Sequence, residues 1–245
     1  MKYNGKYIGA NHTASGMRFG GINSSFKEIF KDEEVLIGSG FDIIPCQIGN
    51  INECYQILKD KIEQKKPIKF ETLCEIVFEV VQNYFGDYSN IEKRMDNYTE
   101  LDFIQTKEDI GKVSNLKGKN RAMCTERAML SQNLLKSIGI NSIFKCSSII
   151  NNDKEEIHAY NILEHNKKYY IYDATIPTYK NNIITPIIIE IPKEVYEKII
   201  SPEQGVGYSV EVTHYNPLMK NEKHIIYDAG REQIYQQKIK NPFHK

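Results

Sequence analysis

Cys124, His158 and Asp173 have the residue types of a thiol nucleophile, its base and the group that orients the base. They lie in one stretch, RAMCTERAMLSQNLLKSIGINSIFKCSSIINNDKEEIHAYNILEHNKKYYIYDATIP. The cysteine opens a helical pattern, the histidine sits in a strand-like run, and the aspartate ends the next one. A thiol attacks carbonyl carbon usefully only as thiolate, and an ordinary pKa of about 8.5 leaves it mostly protonated at neutral pH. Two arrangements favour the anion: the unsatisfied N–H groups of a helix's first turn, and an imidazolium beside the sulfur. A carboxylate on the far ring nitrogen then holds the imidazole in its working tautomer. Such a set performs acyl transfer through a thioester. Taken singly, each residue has a plainer reading: a core cysteine, a satisfied strand histidine, a turn aspartate. Their order and phase favour the joint one.

The elements that must hold them follow from hydrophobic spacing. Asn120 is placed to cap the helix, and its apolar face (Ala128, Met129 or Leu130, Leu134, Leu135, Ile138) begins just after Cys124. Gly139 stops it. Residues 140–150 alternate as a strand, Asn151, Asn152 and Asp153 are turn residues, and 157–164 alternate again. In that run Ile157, Ala159, Asn161 and Leu163 share one face, and His158, Tyr160 and Ile162 the other. Asn166–Lys167 joins it to Tyr169–Asp173 as a hairpin, so the two strands lie side by side and their side chains can meet.

Upstream, residues 1–23 read as a glycine-rich loop with a short strand near Tyr7, and Ser24 or Ser25 caps a short helix to Lys31. Val35–Ile37 runs into the turn GSG, and Pro45 argues against FDIIPC as a central strand. One helix, capped by Asn50 or Asn52, extends to Lys65. A second opens at Pro67, carries Phe70, Leu73, Cys74, Val77, Phe78, Val81 and Phe85 at helical spacing, and ends at Gly86. Ser89–Asn97 reads as a third, polar helix, and 101–119 as irregular. Downstream come the strand ITPIIIEIP, the short helix PKEVYEKII and the late strands YSVEVTHY and HIIYDA. Helices first and mostly antiparallel strands after them make an α+β fold. Residues 1–100 are expected to form a largely helical cover, 101–200 the catalytic core, and 201–245 strands completing the same domain.

Composition narrows the partners. The 245 residues carry 32 Lys+Arg against 32 Asp+Glu with no basic block, so there is no electrostatic footprint for nucleic acid or a membrane surface. The first residues lack the apolar run of a secretory signal, and no segment approaches a membrane span. The five cysteines include no CxxC pair, which points away from a thiolate zinc site or a disulfide framework. The expectation is a cytoplasmic protein, with signal-independent export as an effector left open, acting on a protein or peptide substrate without cofactor or metal.

On the words CTERAMLSQNLLKSIGI, HAYNILE and YYIYDAT, residues 101–195 resemble the transglutaminase-like core of the papain-like cysteine enzyme superfamily. The resemblance implies a nucleophile helix packed on an antiparallel sheet, with Cys124 as nucleophile, His158 as general base and acid, and Asp173 as orienter. It implies peptidase, protein glutamine deamidase or transglutaminase chemistry, hydrolysis being preferred because water is the default acceptor. A non-catalytic binding module on the same fold is the alternative from another class. A small-molecule acyltransferase lacks its glycine-rich lead into the cysteine. Met123 stands where the family often has an aromatic, and the chain has no Trp to act as an oxyanion donor. The backbone N–H of Cys124 is the natural first donor, with Gln105, Asn120, Tyr88 or Tyr98 as candidates for the second. No calcium-binding loop is present in the sequence. His165 has the opposite strand phase and is the weaker histidine. Cys146 reads as packing, and Cys46 as the lesser candidate for a reactive thiol.

Overall fold

A computed structural model describes residues 2–3, 6–7, 34–38, 43–65, 67–86, 111–118, 120, 122, 124–180, 183–199, 208–216, 221–227 and 233–236. The expected helices at 24–31 and 89–97 lie outside these residues. The chain forms strands β1 (Lys2–Tyr3), β2 (Lys6–Tyr7), β3 (Glu34–Gly38) and β4 (Ile43–Gln47), then helices α1 (Asn52–Gln64) and α2 (Phe70–Phe85). Strand β5 (Gly111–Lys112) and a 3-10 turn (Val113–Leu116) lead to α3 (Cys124–Ser137). Four long strands follow: β6 (Asn141–Asn151), β7 (Lys154–His165), β8 (Lys168–Lys180) and β9 (Ile183–Ile191). The chain continues with α4 (Lys193–Ile199), β10 (Tyr208–Asn216), β11 (Asn221–Tyr227) and β12 (Gln233–Gln236). This is an α+β fold.

Seven strands make one sheet in the order β12-β10-β11-β6-β7-β8-β9, antiparallel except for the β10–β12 pair. The turns at Asn152–Asp153 and Asn166–Lys167 place both central residues at positive φ. That is the twist a two-residue hairpin loop needs. Strands β3, β4 and β5 form a separate small sheet with β4 in the middle, against the expectation drawn from Pro45. The reason is local. Strand β5 meets β4 only at Cys46 and Gln47, so at Pro45 the strand is paired on the β3 side alone and loses no second ladder bond.

The α3 helix is central rather than amphipathic. Residues 126–131 are all buried, including Glu126, Arg127 and Ser131, because the sheet covers one side of α3 and the α1–α2 hairpin the other. Alternate residues of β7 and β8 therefore enter different cores. Ala159, Leu163, Tyr170, Tyr172 and Ala174 pack with the helices. Tyr160, Ile162 and Ile171 pack on the opposite face with Ile187, Ile189, Val195 and Tyr227. A sheet buried on both faces is anchored against register slip, since a one-residue shift would exchange the two cores.

The end of α2 is clipped to the segment that precedes Cys124. The second helix starts at Phe70 rather than Pro67 and ends at Gly86, whose φ of 87° and ψ of −178° belong to a region essentially reserved for glycine. Tyr84 and Phe85 accept backbone hydrogen bonds from Gly118 (2.8 Å) and Asn120 (2.9 Å). A Cβ on Gly86 would stand 1.7 Å from Asn120 Oδ1. Gly86→Ala is therefore expected to cost about 2 kcal/mol or more of unfolding free energy, from backbone strain and the displaced asparagine. An unchanged urea midpoint would refute this close packing.

Candidate active site

Four polar contacts hold the Asp173 carboxyl, and the anchoring begins with a proline one strand away. The β8–β9 ladder runs from Tyr169↔Ile191 to Asp173↔Ile187 and resumes only at Thr178↔Thr185. Four residues of β8, 174–177, thus face one residue of β9, Pro186, which has no N–H to give to a ladder. The resulting bulge turns two backbone N–H groups inward. Thr175 N (2.7 Å) and Ile176 N (3.2 Å) both donate to Asp173 Oδ1. The carboxyl's other oxygen, Oδ2, accepts Tyr227 Oη at 2.9 Å and lies 2.7 Å from His158 Nε2. An ionised carboxylate only accepts hydrogen bonds, so Nε2 carries the proton and Nδ1 is left facing elsewhere.

The ring's other neighbour is the Cys124 thiol. His158 pairs with Ser147 on β6, but the β7–β8 ladder stops at Asn161↔Tyr172, leaving His158 without a partner on its β8 side. The Cys124 sulfur lies near enough to the imidazole to favour its charged form. Cys124 is the first residue of α3 and is partly exposed, while His158 is buried and Asp173 fully so. Burial alone disfavours the charged ring. The Asp173 carboxylate, as a charge and as a hydrogen-bond acceptor, outweighs it with help from the Cys124 sulfur, and holds the imidazolium well above the ordinary histidine range.

The other described thiols differ in kind. Burial, with Glu53 nearby, pushes Cys54 up to about 12, and burial with Glu71 and Glu75 pushes Cys74 higher still. Both belong to the helical core and are inert for nucleophilic work. His165 lies at the far end of β7, its ring stacked on Phe70 at 4.8 Å, and takes no part in the site.

The structure places the remaining candidates as follows. Tyr88, Tyr98 and Gln105 lie outside the described residues. Asn120 does not cap α3, because the helix begins at Cys124, four residues later; its side chain instead rests against Gly86. Three contributors carried no signal that periodicity could find. Tyr227 arrives from β11, Pro186 makes the bulge, and Arg127 anchors α3. The buried Arg127 donates from Nε to Ala122 O (3.2 Å), from one terminal nitrogen to Gln82 Oε1 (2.8 Å) and from the other to Gly86 O (2.9 Å). Gln82 in turn donates to Ala174 O at 2.9 Å, so one network links α2, the lead into Cys124 and the strand carrying Asp173. The nearest hints in the sequence were the proline inside an isoleucine-rich strand and the echo between YYIYDAT and HIIYDAG.

Among the described residues no cluster of His, Cys, Asp or Glu could hold a metal ion, and no helix is long and apolar enough to cross a membrane. No protein-family model matches the chain, and neither does any curated protein.

Proposed function

We propose that this chain is a cysteine-dependent acyl-transfer enzyme of the transglutaminase-like, papain-like type, acting on peptide or glutamine-type amides. The observation that carries the reading is His158, buried with Asp173 2.7 Å from Nε2 and with the Cys124 thiol near enough to favour its charged form. A cysteine at the start of a central helix, with histidine and aspartate on consecutive antiparallel strands, supports the family assignment. An idle binding module has no use for an imidazole held between a carboxylate and a thiol.

In the reaction, the Cys124 sulfur attacks the amide carbon and a C–S bond forms. As the tetrahedral adduct collapses, the C–N bond breaks and the His158 imidazolium gives its proton to the departing nitrogen. Ammonia leaves from a glutamine side chain, or an amine from a peptide. Water then attacks the thioester, His158 takes the proton, and the carboxylic acid departs from the regenerated thiol. Hydrolysis is the proposed outcome, to a cleaved peptide or a glutamate. Transfer to an amine is the alternative resolution of the same intermediate.

Mass spectrometry of a cell lysate treated with the wild-type chain or with Cys124→Ala decides both points. Cleaved backbones, amide-to-acid conversions or new cross-links are expected with the wild type and absent with the variant. Identical lysates would sink the proposal. An amide-mimicking, thiol-reactive probe should likewise label the wild type and leave Cys124→Ala unlabelled.

A further inference from the structure

Tyr227 reaches the site from an unexpected distance. In the sheet order, β11 and β8 are separated by β6 and β7. Three strand spacings amount to about 14 Å on a flat sheet, longer than a tyrosine side chain. The hydroxyl nonetheless donates to Asp173 Oδ2 at 2.9 Å. The sheet must therefore curl, and the approach of β10 to β8 is its direct sign. Tyr160 of β7 lies between, with its ring edge-on to Tyr227 at 4.9 Å and stacked with His158 at 6.3 Å. Tyr227 is completely buried. A long-range hydroxyl brought onto one carboxylate oxygen at the cost of curling a sheet is more than packing requires.

Resting on the proposed acyl-transfer reading, we propose that Tyr227 is a positioning residue that tempers Asp173. By donating to the same oxygen that holds His158, it keeps that oxygen aimed at the imidazole and withdraws part of its charge, so that the imidazolium still releases its proton to the leaving group. The geometry divides the labour. Oδ1 is held by the two bulge N–H groups and fixes the carboxyl plane, while Oδ2 is shared between an imidazolium and a phenol. Without the phenol, the full charge of Oδ2 falls on the histidine, which makes it a stronger base and a poorer acid. The ionisable groups facing the pair are Cys124 from α3, Tyr160 from β7, Tyr172 beside Asp173 on β8, and Tyr227 itself.

The test uses the full chain and iodoacetate, an anionic alkylating reagent. Its reaction with the Cys124 thiolate falls off at alkaline pH as the neighbouring imidazolium loses the charge that attracts it. Tyr227→Phe retains the ring and is expected to move this alkaline limb up by about one to two pH units, the size of one hydrogen bond to a charged group. In an Asp173→Asn background the same substitution should move nothing. An unmoved limb, a downward shift, or an equal shift in the asparagine background would each overturn the assignment. If the phenylalanine variant does not fold, 3-fluorotyrosine installed at position 227 donates more strongly and should move the limb down; no movement would overturn the assignment equally. A wild-type chain with no imidazolium-dependent limb would instead overturn the acyl-transfer reading and, with it, the role of Tyr227.

Discussion

His158→Ala is expected to slow the alkylation of Cys124 by iodoacetamide at pH 6 by about two orders of magnitude. An ordinary thiol, at about 8.5, is only about one part in three hundred ionised at that pH. The wild-type site offers the sulfur a protonated partner, because His158 is held well above the ordinary histidine value and keeps its proton as pH rises past about 6.5. The sign of the pH dependence follows. While His158 holds its proton the wild-type thiol should react faster than the variant's, whose rate should rise about tenfold per pH unit toward the ordinary thiol ionisation. The two curves converge near pH 8.5 and above, where a thiol ionises unaided. Neutral iodoacetamide suits this comparison because it senses thiolate rather than imidazolium charge. Peptide-resolved mass spectrometry separates Cys124 from the other four cysteines. Equal rates for wild type and variant at pH 6 would show that the imidazole does not activate the thiol.

Arg127→Met should be the most damaging substitution outside Cys124, His158 and Asp173, lowering unfolding free energy by roughly 3 kcal/mol or more. Methionine keeps much of the stem volume, so the loss is chiefly polar. One buried acceptor, Ala122 O, and two part-buried ones, Gln82 Oε1 and Gly86 O, lose their donor, and an unsatisfied buried group costs about 1–3 kcal/mol. The guanidinium also gives up its place over the Phe85 ring, 5.7 Å from the centroid. The consequence reaches the site. Ala122 lies two residues before Cys124, and Gln82 leads to Ala174 beside Asp173, so the variant should also lose reactivity at Cys124 under conditions where it remains folded. Urea unfolding followed by circular dichroism measures the first effect. A change within about 1 kcal/mol, the range of an ordinary substitution, would mean that this network does not hold the helix in place.

Much of the frame was legible in order along the chain. The hairpin at Asn166–Lys167, the alternation from Ile157 to Leu163 and the Gly139 stop follow from local stereochemistry and a period of two or 3.6. Local rules also misread in instructive ways. Pro45 counted against a central strand, yet the strand is central only beyond the proline, where β5 joins it. Asn120 had the composition of a cap, but its backbone N–H is taken by Phe85 and its side chain by Gly86. The α3 helix was expected to bury a stripe and is instead buried through residues 126–131, because a second layer of helices lies over it. Periodicity reports the faces that one neighbour buries; it cannot count the neighbours.

The amino-acid sequence by itself determined which groups were available and in which order: a thiol at a helix start, a histidine and an aspartate on consecutive strands, with turn residues to bring those strands together. Those features depend on residue type and spacing, which chain order preserves. Tertiary structure decided what surrounds them. The opening of the β7–β8 ladder at His158, the bulge opposite Pro186 that aims two N–H groups at Asp173, and the curl that carries Tyr227 over β7 are properties of the assembled sheet. Each depends on a contact between residues far apart along the chain, and no local period encodes such a contact.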